Sequence, residues 1–139
     1  MARLLKWLAL AMGIACALIG LYHLVLGIAS VPGEGSAGAT VDSRERFYNA
    51  IFFGYGLAWI WAARQSPIPS TAVRWLAGIF LLGGIGRVLS VAVHGWPHWF
   101  QVPLSGLELA LPPLLFWLST ADERRTRETA ADGDRVGVL

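Results

Sequence analysis

Charge is scarce in this chain. Asp, Glu, Lys and Arg supply only 14% of its 139 residues, against roughly 25% in a soluble domain, and that shortage excludes an ordinary water-soluble globule. Cysteine is scarcer still. One residue, Cys16, permits no intrachain disulfide and no thiol pair, and inside an apolar run it reads as a small packing hydrophobe. No phosphate-binding loop and no nucleophile with an adjacent base stand out. His94 and His98 are spaced like a helical ligand pair, but Gly95 and Pro97 between them break the helix, so no metal site is expected. No internal repeat of transporter size is present beyond a shared use of glycine.

What the chain has in abundance is apolar and aromatic surface, 55% and 12% of its residues. Four apolar segments, Leu4 to Ala29, Phe47 to Ala63, Trp75 to Val93 and Val102 to Leu118, approach the roughly 20 residues that cross a bilayer core. The expected fold is therefore all-α: an integral membrane four-helix bundle over residues 1–121, with spans at about 4–29, 47–63, 73–93 and 102–119. Residues 122–139 form a charged tail without apolar periodicity, expected to extend span four briefly and fade into disorder. The first segment resembles a signal peptide at Arg3, Lys6 and Ala15-Cys16-Ala17. Its apolar character continues to Ala29, past the roughly 7–15 residues of a signal core, so it reads as a retained span. A lipoprotein signal is disfavoured by Gly13, where a Leu or Val is expected.

Basic residues orient the spans, because Lys and Arg in short flanking loops stay on the cytoplasmic side. Arg3 and Lys6, then Arg64 and Arg74, then Arg124, Arg125, Arg127 and Arg135 mark one side. On the other, Arg44 and Arg46 are offset by Glu34, Asp42 and Glu45. Both termini are expected to be cytoplasmic. The formal charge of +2 is thus a topology signal and not a reason to expect nucleic acid. Trp7, Trp59, Trp61, Trp75 and Trp117 fall near the inner interface, and Tyr22, Tyr48, Trp96 and Trp99 near the outer one. Asp42 and Glu45 have capping-box spacing for the second helix, Ser70 and Thr71 are expected to cap the third, and Pro103 suits the first turn of the fourth.

Arg87 and Glu108 interrupt apolar spans, where a charge costs roughly 2.5–3.5 kcal/mol even on lenient insertion scales. Each needs a partner or a function. His23, Arg87 and Glu108 each lie about six residues, roughly 9 Å, below the outer boundary, and Asn49 is slightly shallower. Helical spacing sets them on small-residue seams: Gly13, Cys16, Gly20, His23 and Gly27 in span one, and Gly83, Arg87, Ser90 and His94 in span three. Span four offers Gln101, Ser105, Glu108 and Pro112, and span two Glu45, Asn49 and Gly56. Pro112 and Pro113 cannot donate to the carbonyls of Glu108 and Leu109, which predicts a kink with two carbonyls in need of donors. An Arg87–Glu108 ion pair completed by His23 and Asn49 is the expected polar site. The plain alternative is a buried bridge that fixes helix register, with the glycines as packing surfaces and Asn49 as interhelical glue. Glu45 and Arg46 stand at the lip as a solvated cap or a gate.

The run Arg46-Phe47-Tyr48-Asn49 with Gly54 and Gly56, then Gly83-Gly84-Ile85-Gly86-Arg87 with Ser90, then His94-Gly95-Trp96-Pro97 and finally Glu108 resembles the bacterial family called domain of unknown function 4345. More loosely, the chain is similar to the DoxX-like group of small four-helix membrane proteins. The first resemblance implies a four-span bundle in a bacterial inner membrane and carries no activity. The second permits a link to quinone or thiol redox systems.

Three function classes follow. The leading expectation is a multi-pass inner-membrane protein that binds a membrane lipid or other amphipathic small molecule through Arg87, Glu108, His23, Asn49 and Ser90. The alternative is an accessory subunit whose glycine seams, at Gly20 or Gly83, hold a membrane-protein partner. The third is an isomerase or hydrolase with Glu108 or His23 as acid or base. Desolvation and a neighbouring guanidinium act on a carboxyl group in opposite senses, which weakens the enzyme reading. No cofactor is expected.

Overall fold

A computed structural model describes residues 2–32, 38–97 and 99–137. Glu34 and His98, used above for orientation and as a metal-ligand alternative, lie outside them. The described residues form four helices and no strand: α1 (Ala2–Leu26), α2 (Ala39–Arg64), α3 (Ser70–His94) and α4 (Gln101–Gly137), with a 3-10 turn at Gly27–Ser30 after α1. The fold is all-α, as the apolar runs imply. The first helix with its 3-10 turn, the third and the fourth are long and apolar enough to cross a membrane. The second is 26 residues long, but Asp42, Arg44, Glu45 and Arg46 fill its early turns and Tyr48, Asn49 and Tyr55 dilute the rest. Contacts divide the chain into two compact units, Lys6–Pro67 and the combination of Met1–Leu5 with Ile68–Leu139.

In Lys6–Pro67 the glycine seam of α1 is a contact surface for α2. A Cβ on Gly13 would lie 2.8 Å from the Gly56 carbonyl oxygen and 2.7 Å from Ile60 Cγ1. One on Gly20 would lie 2.6 Å from the Phe53 amide nitrogen and 2.9 Å from the Asn49 carbonyl oxygen. One on Gly27, whose φ is +60°, would strike Asp42 and Arg46. Contacts thus advance by seven residues up α1 and into its 3-10 turn (13, 20, 27) and by seven down α2 (56, 49, 42), an antiparallel heptad in which glycine replaces the usual large knob. Where lipid is as apolar as the side chains, such close backbone approach supplies the packing that holds two helices together.

In the second unit α3 and α4 pack along their length. The buried residues of α3 are Val73, Ala77 and Gly84, and Arg87 continues that stripe one turn on. Those of α4 include Pro112, Leu115, Ser119 and Asp122, a stripe whose spacing extends back to Glu108. Both charges therefore lie on the packing faces of their own helices.

Several helix ends differ from expectation. The N-cap of α2 is Gly38, with no side-chain cap, because the Asp42 carboxylate is committed elsewhere: it accepts from the Ile28 amide and from Arg46. Ser70 is the first residue of α3 and Pro69 the cap position, so neither Ser70 nor Thr71 caps it. Pro103 does sit in the first turn of α4, which then runs unbroken through Pro112 and Pro113 to Gly137. The tail expected to fade into disorder is helical that far. Glu123 binds Arg127 one turn on, and Thr126 and Thr129 bond the carbonyls four residues back, local contacts that hold a solvated helix. Trp59, expected at the interface, is fully buried and meets Tyr55 edge-on, whereas Trp7, Trp61, Trp75 and Trp117 are exposed. Cys16 is buried, as its apolar context implies.

Gly20→Ala places a methyl against main chain that cannot swing aside and is expected to lower the thermal unfolding midpoint in mild detergent, at a cost of about 1–3 kcal/mol. Gly54→Ala, where a Cβ meets nothing within 4 Å, is expected to leave it equal or higher.

Candidate functional site

Arg87 lies in the fifth turn of α3 and Glu108 in the second turn of α4. Gly84, one turn before Arg87, sets their separation. A Cβ there would lie 3.3 Å from both the carbonyl carbon and the Cβ of Glu108, and 3.0 Å from Leu109 Cδ2, so α4 approaches α3 at this level because residue 84 has no side chain. The close approach brings Glu108 beside the guanidinium, and Arg87 Nε donates to Glu108 Oε2 at 2.6 Å. The Glu108 side chain is 13% exposed and that of Arg87 38%. The contact is side-on. A guanidinium has five N–H donors, and among the described residues only Nε of Arg87 is bonded to protein, which leaves the terminal fork for another acceptor.

The remaining sequence candidates have partners of their own. His23, half-buried in the last turn of α1, has Nδ1 2.5 Å from Ser30 Oγ. The Ser30 hydroxyl donates to the Gly27 carbonyl at 2.6 Å, so its one hydrogen is used. The hydrogen between His23 and Ser30 must then come from Nδ1, which makes Nε2 the acceptor nitrogen of the neutral ring. Asn49 is not interhelical glue: Nδ2 donates to the Glu45 carbonyl at 2.8 Å and to Glu45 Oε2 at 3.2 Å, both within α2. The carbonyl four residues back is within reach of a short amide, and it takes the donor that a second helix was expected to receive. Ser90 and His94 are exposed on α3. Gly83 is on an open face, and its neighbour Gly84 makes the contact. Among the described residues no group of three or more His, Cys, Asp and Glu side chains is placed to hold a metal ion.

Two further polar clusters escaped sequence reasoning. Arg46 forms an ion pair with Asp42 at 2.8 Å and donates through Nη1 to the Leu24 and Val25 carbonyls at 2.9 and 3.0 Å, so it caps the C-terminus of α1. Asp42 closes the same joint through the Ile28 amide at 2.8 Å. The bond from Arg46 first, and that from Ile28 second, hold the Asp42 carboxyl below its ordinary value. In the other unit, Arg74 binds Glu123 at 2.5 Å and Thr120 at 3.3 Å. That bond is the main reason why the Glu123 carboxyl is also held below its usual range. The i, i+4 spacing of Asp42 and Arg46 was visible in sequence; the carbonyls they reach across the turn were not.

A protein-family model described as "Domain of unknown function (DUF4345)" matches residues 4–119. No curated protein and no solved structure matches the chain.

Two outcomes are expected of these clusters. Removing one partner of the Arg87–Glu108 pair strands the other in an apolar face, so Glu108→Ala is expected to cost about 1–3 kcal/mol, less than the roughly 3–5 of a fully buried pair. The double variant Arg87→Leu/Glu108→Leu is expected to recover part of that loss in the same detergent unfolding assay. Because the Asp42 carboxyl is lowered on folding, the stability it contributes is complete above the ordinary value of 3.8 and is lost as pH falls through the lowered one. Stability measured from pH 5 downward should therefore drop in that window, and Asp42→Asn should flatten the drop while lowering stability at pH 7.

Proposed function

The chain belongs to the DUF4345 family, and on that premise, which supplies a kinship without an activity, we propose that it binds an amphipathic molecule at the Arg87–Glu108 pair. The observation that supports this reading is the unused fork of Arg87. Its terminal N–H groups lie in an apolar helix and find no acceptor among the described residues, and donors left unsatisfied in a lipid-like medium are costly. A molecule with a carbonyl or anionic oxygen supplies that acceptor, and its apolar body belongs among the lipid-facing side chains around the pair.

The pair also bears on the ligand's charge. Glu108 already balances Arg87, so a neutral acceptor such as a quinone, ester or fatty amide carbonyl adds hydrogen bonds without adding net charge, whereas an anion leaves a negative excess in a medium of low dielectric. Ser90, one turn beyond Arg87, offers a hydroxyl on the same helix. His23 and Asn49 remain candidates, but each already holds a partner within its own unit, and the proposal does not depend on them. The same reading takes both termini as cytoplasmic in a bacterial inner membrane, with α2 as a fourth crossing and the Arg87–Glu108 pair in the outer half of the span, and the distribution of basic residues in the flanking segments supports that orientation.

A second reading has one observation in its favour. Gly83 and Gly86 face open space on α3, as they would if another membrane protein's helix packed there. In that case the chain is an accessory subunit, and a partner polypeptide accompanies it through purification.

Native mass spectrometry of the protein in mild detergent separates the two. The ligand reading expects a small molecule on the wild type that is lost from both Arg87→Ala and Glu108→Gln. A bare wild type, or a polypeptide partner retained by both variants and released by Gly83→Leu, would favour the subunit reading.

A further inference from the structure

At the Thr71 end of α3 lies a groove of about 430 Å³ that is separate from the Arg87–Glu108 pair. Arg74 is thirteen residues from Arg87, roughly 20 Å along the helix. The groove follows one face of α3 from Thr71 past Arg74, Trp75 and Gly78 to Leu82, with Phe116 of α4 as its other wall. Its length, twelve residues spanning eleven rises or about 16 Å, is about half of a hydrocarbon core of roughly 30 Å, the depth of a single leaflet.

The chemistry along the groove is graded. Of the lining residues, Thr71 and Arg74 at one end carry the polar and charged side chains, and Ile79, Leu82 and Phe116 farther along are apolar. Trp75 beside the mouth is 72% exposed, the setting in which an amphipathic ring lies at headgroup level. Gly78 has nothing within 4 Å of a Cβ position, so its lack of a side chain serves no helix contact and deepens the groove midway. The mouth is cationic. Arg74 and the arginines of the neighbouring stretch of α4, Arg124, Arg125 and Arg127, outnumber by one the carboxylates of Asp122, Glu123 and Glu128, and Glu123 is already bonded to both Arg74 and Arg127.

We infer that this groove is a binding site for an anionic phospholipid, with the phosphate at Arg74 and Thr71 and one acyl chain laid over Gly78 against Ile79, Leu82 and Phe116. The helix that carries the groove is apolar enough to cross a membrane, so the molecules available to fill it are lipids, and the arginine surplus selects the anionic ones. Arg74 keeps its bond to Glu123 and offers the phosphate its remaining N–H groups.

The test is native mass spectrometry of the full chain, delipidated in mild detergent and titrated with phosphatidylglycerol or with phosphatidylcholine of the same acyl chains. The wild type is expected to retain one phosphatidylglycerol at least tenfold more tightly than phosphatidylcholine. Gly78→Leu, which fills the groove without touching the protein's own packing, and Arg74→Gln are each expected to weaken that binding at least tenfold, and Arg87→Ala to leave it unchanged. Equal retention of the two lipids, or unchanged binding in Gly78→Leu, would overturn the assignment, as would a loss in Arg87→Ala. The last result would mean that the lipid occupies the other site.

Discussion

A guanidinium and a carboxylate placed in helices made otherwise of Leu, Ile, Val and Gly must meet each other, because the medium around those helices offers nothing else to either charge. Everything at the centre of the second unit follows from that requirement. Arg87 is on the buried stripe of α3 with Val73, Ala77 and Gly84, and Glu108 is on that of α4 with Pro112, Leu115 and Ser119. Packing the two stripes brings the charges together only if the backbones come close, and Gly84 permits this. The resulting contact uses one edge of the guanidinium. A bridge whose sole task was to fix register would gain more from a two-point contact through the fork. The side-on geometry engages one oxygen of the carboxylate and leaves the terminal donors over, and that surplus is the physical basis for proposing a ligand at the pair.

The two units use different means to the same end. In Lys6–Pro67, glycines seven residues apart on α1 meet residues seven apart on α2, and the joint beyond them is closed by polar groups: Asp42 takes the Ile28 amide and Arg46 takes the last carbonyls of α1. Gly27 is required there by its positive φ and by the space that Asp42 and Arg46 occupy. In the second unit the buried faces carry Val73, Ala77 and Gly84 on α3 and Pro112, Leu115 and Ser119 on α4, and ion pairs mark the contact at two levels, Arg74 with Glu123 and Arg87 with Glu108. One charged contact therefore lies toward the Thr71 end of α3, at the mouth of the groove, and the other within the apolar stretch.

Much of this was legible in the sequence, and what was missed shares a cause. Apolar runs announce helices because their length and composition are properties of the chain itself, and the Arg87–Glu108 pair was legible because the penalty on a lone charge admits few escapes. Contacts that depend on the rotation of a helix were not. Gly83 and Gly84 are indistinguishable by spacing from Arg87, yet only Gly84 faces α4. Asn49 and Asp42 each had an expected partner on another helix or at a helix end, and each found another: Asn49 the Glu45 carbonyl one turn back, Asp42 an amide across the loop. Ser30 was not associated with His23, because the 3-10 turn that folds it back follows an apparently unbroken apolar run. The helix of the tail was not legible because the bonds along it are local ones made by Glu123, Arg127 and the threonines, which leave no apolar periodicity in the sequence.

Whether the free fork of Arg87 meets a ligand distinguishes a binding site from a bridge. Nitrogen-15 NMR of the arginine side chains in lipid nanodiscs, with Arg87→Lys to assign the Arg87 signals, reads that atom by atom. On titration with a native membrane lipid extract, the account predicts that the Arg87 Nη resonances shift and saturate while Nε, held by Glu108, changes little. Nη resonances that stay unmoved at saturating extract would contradict it and reduce the pair to a bridge between two helices.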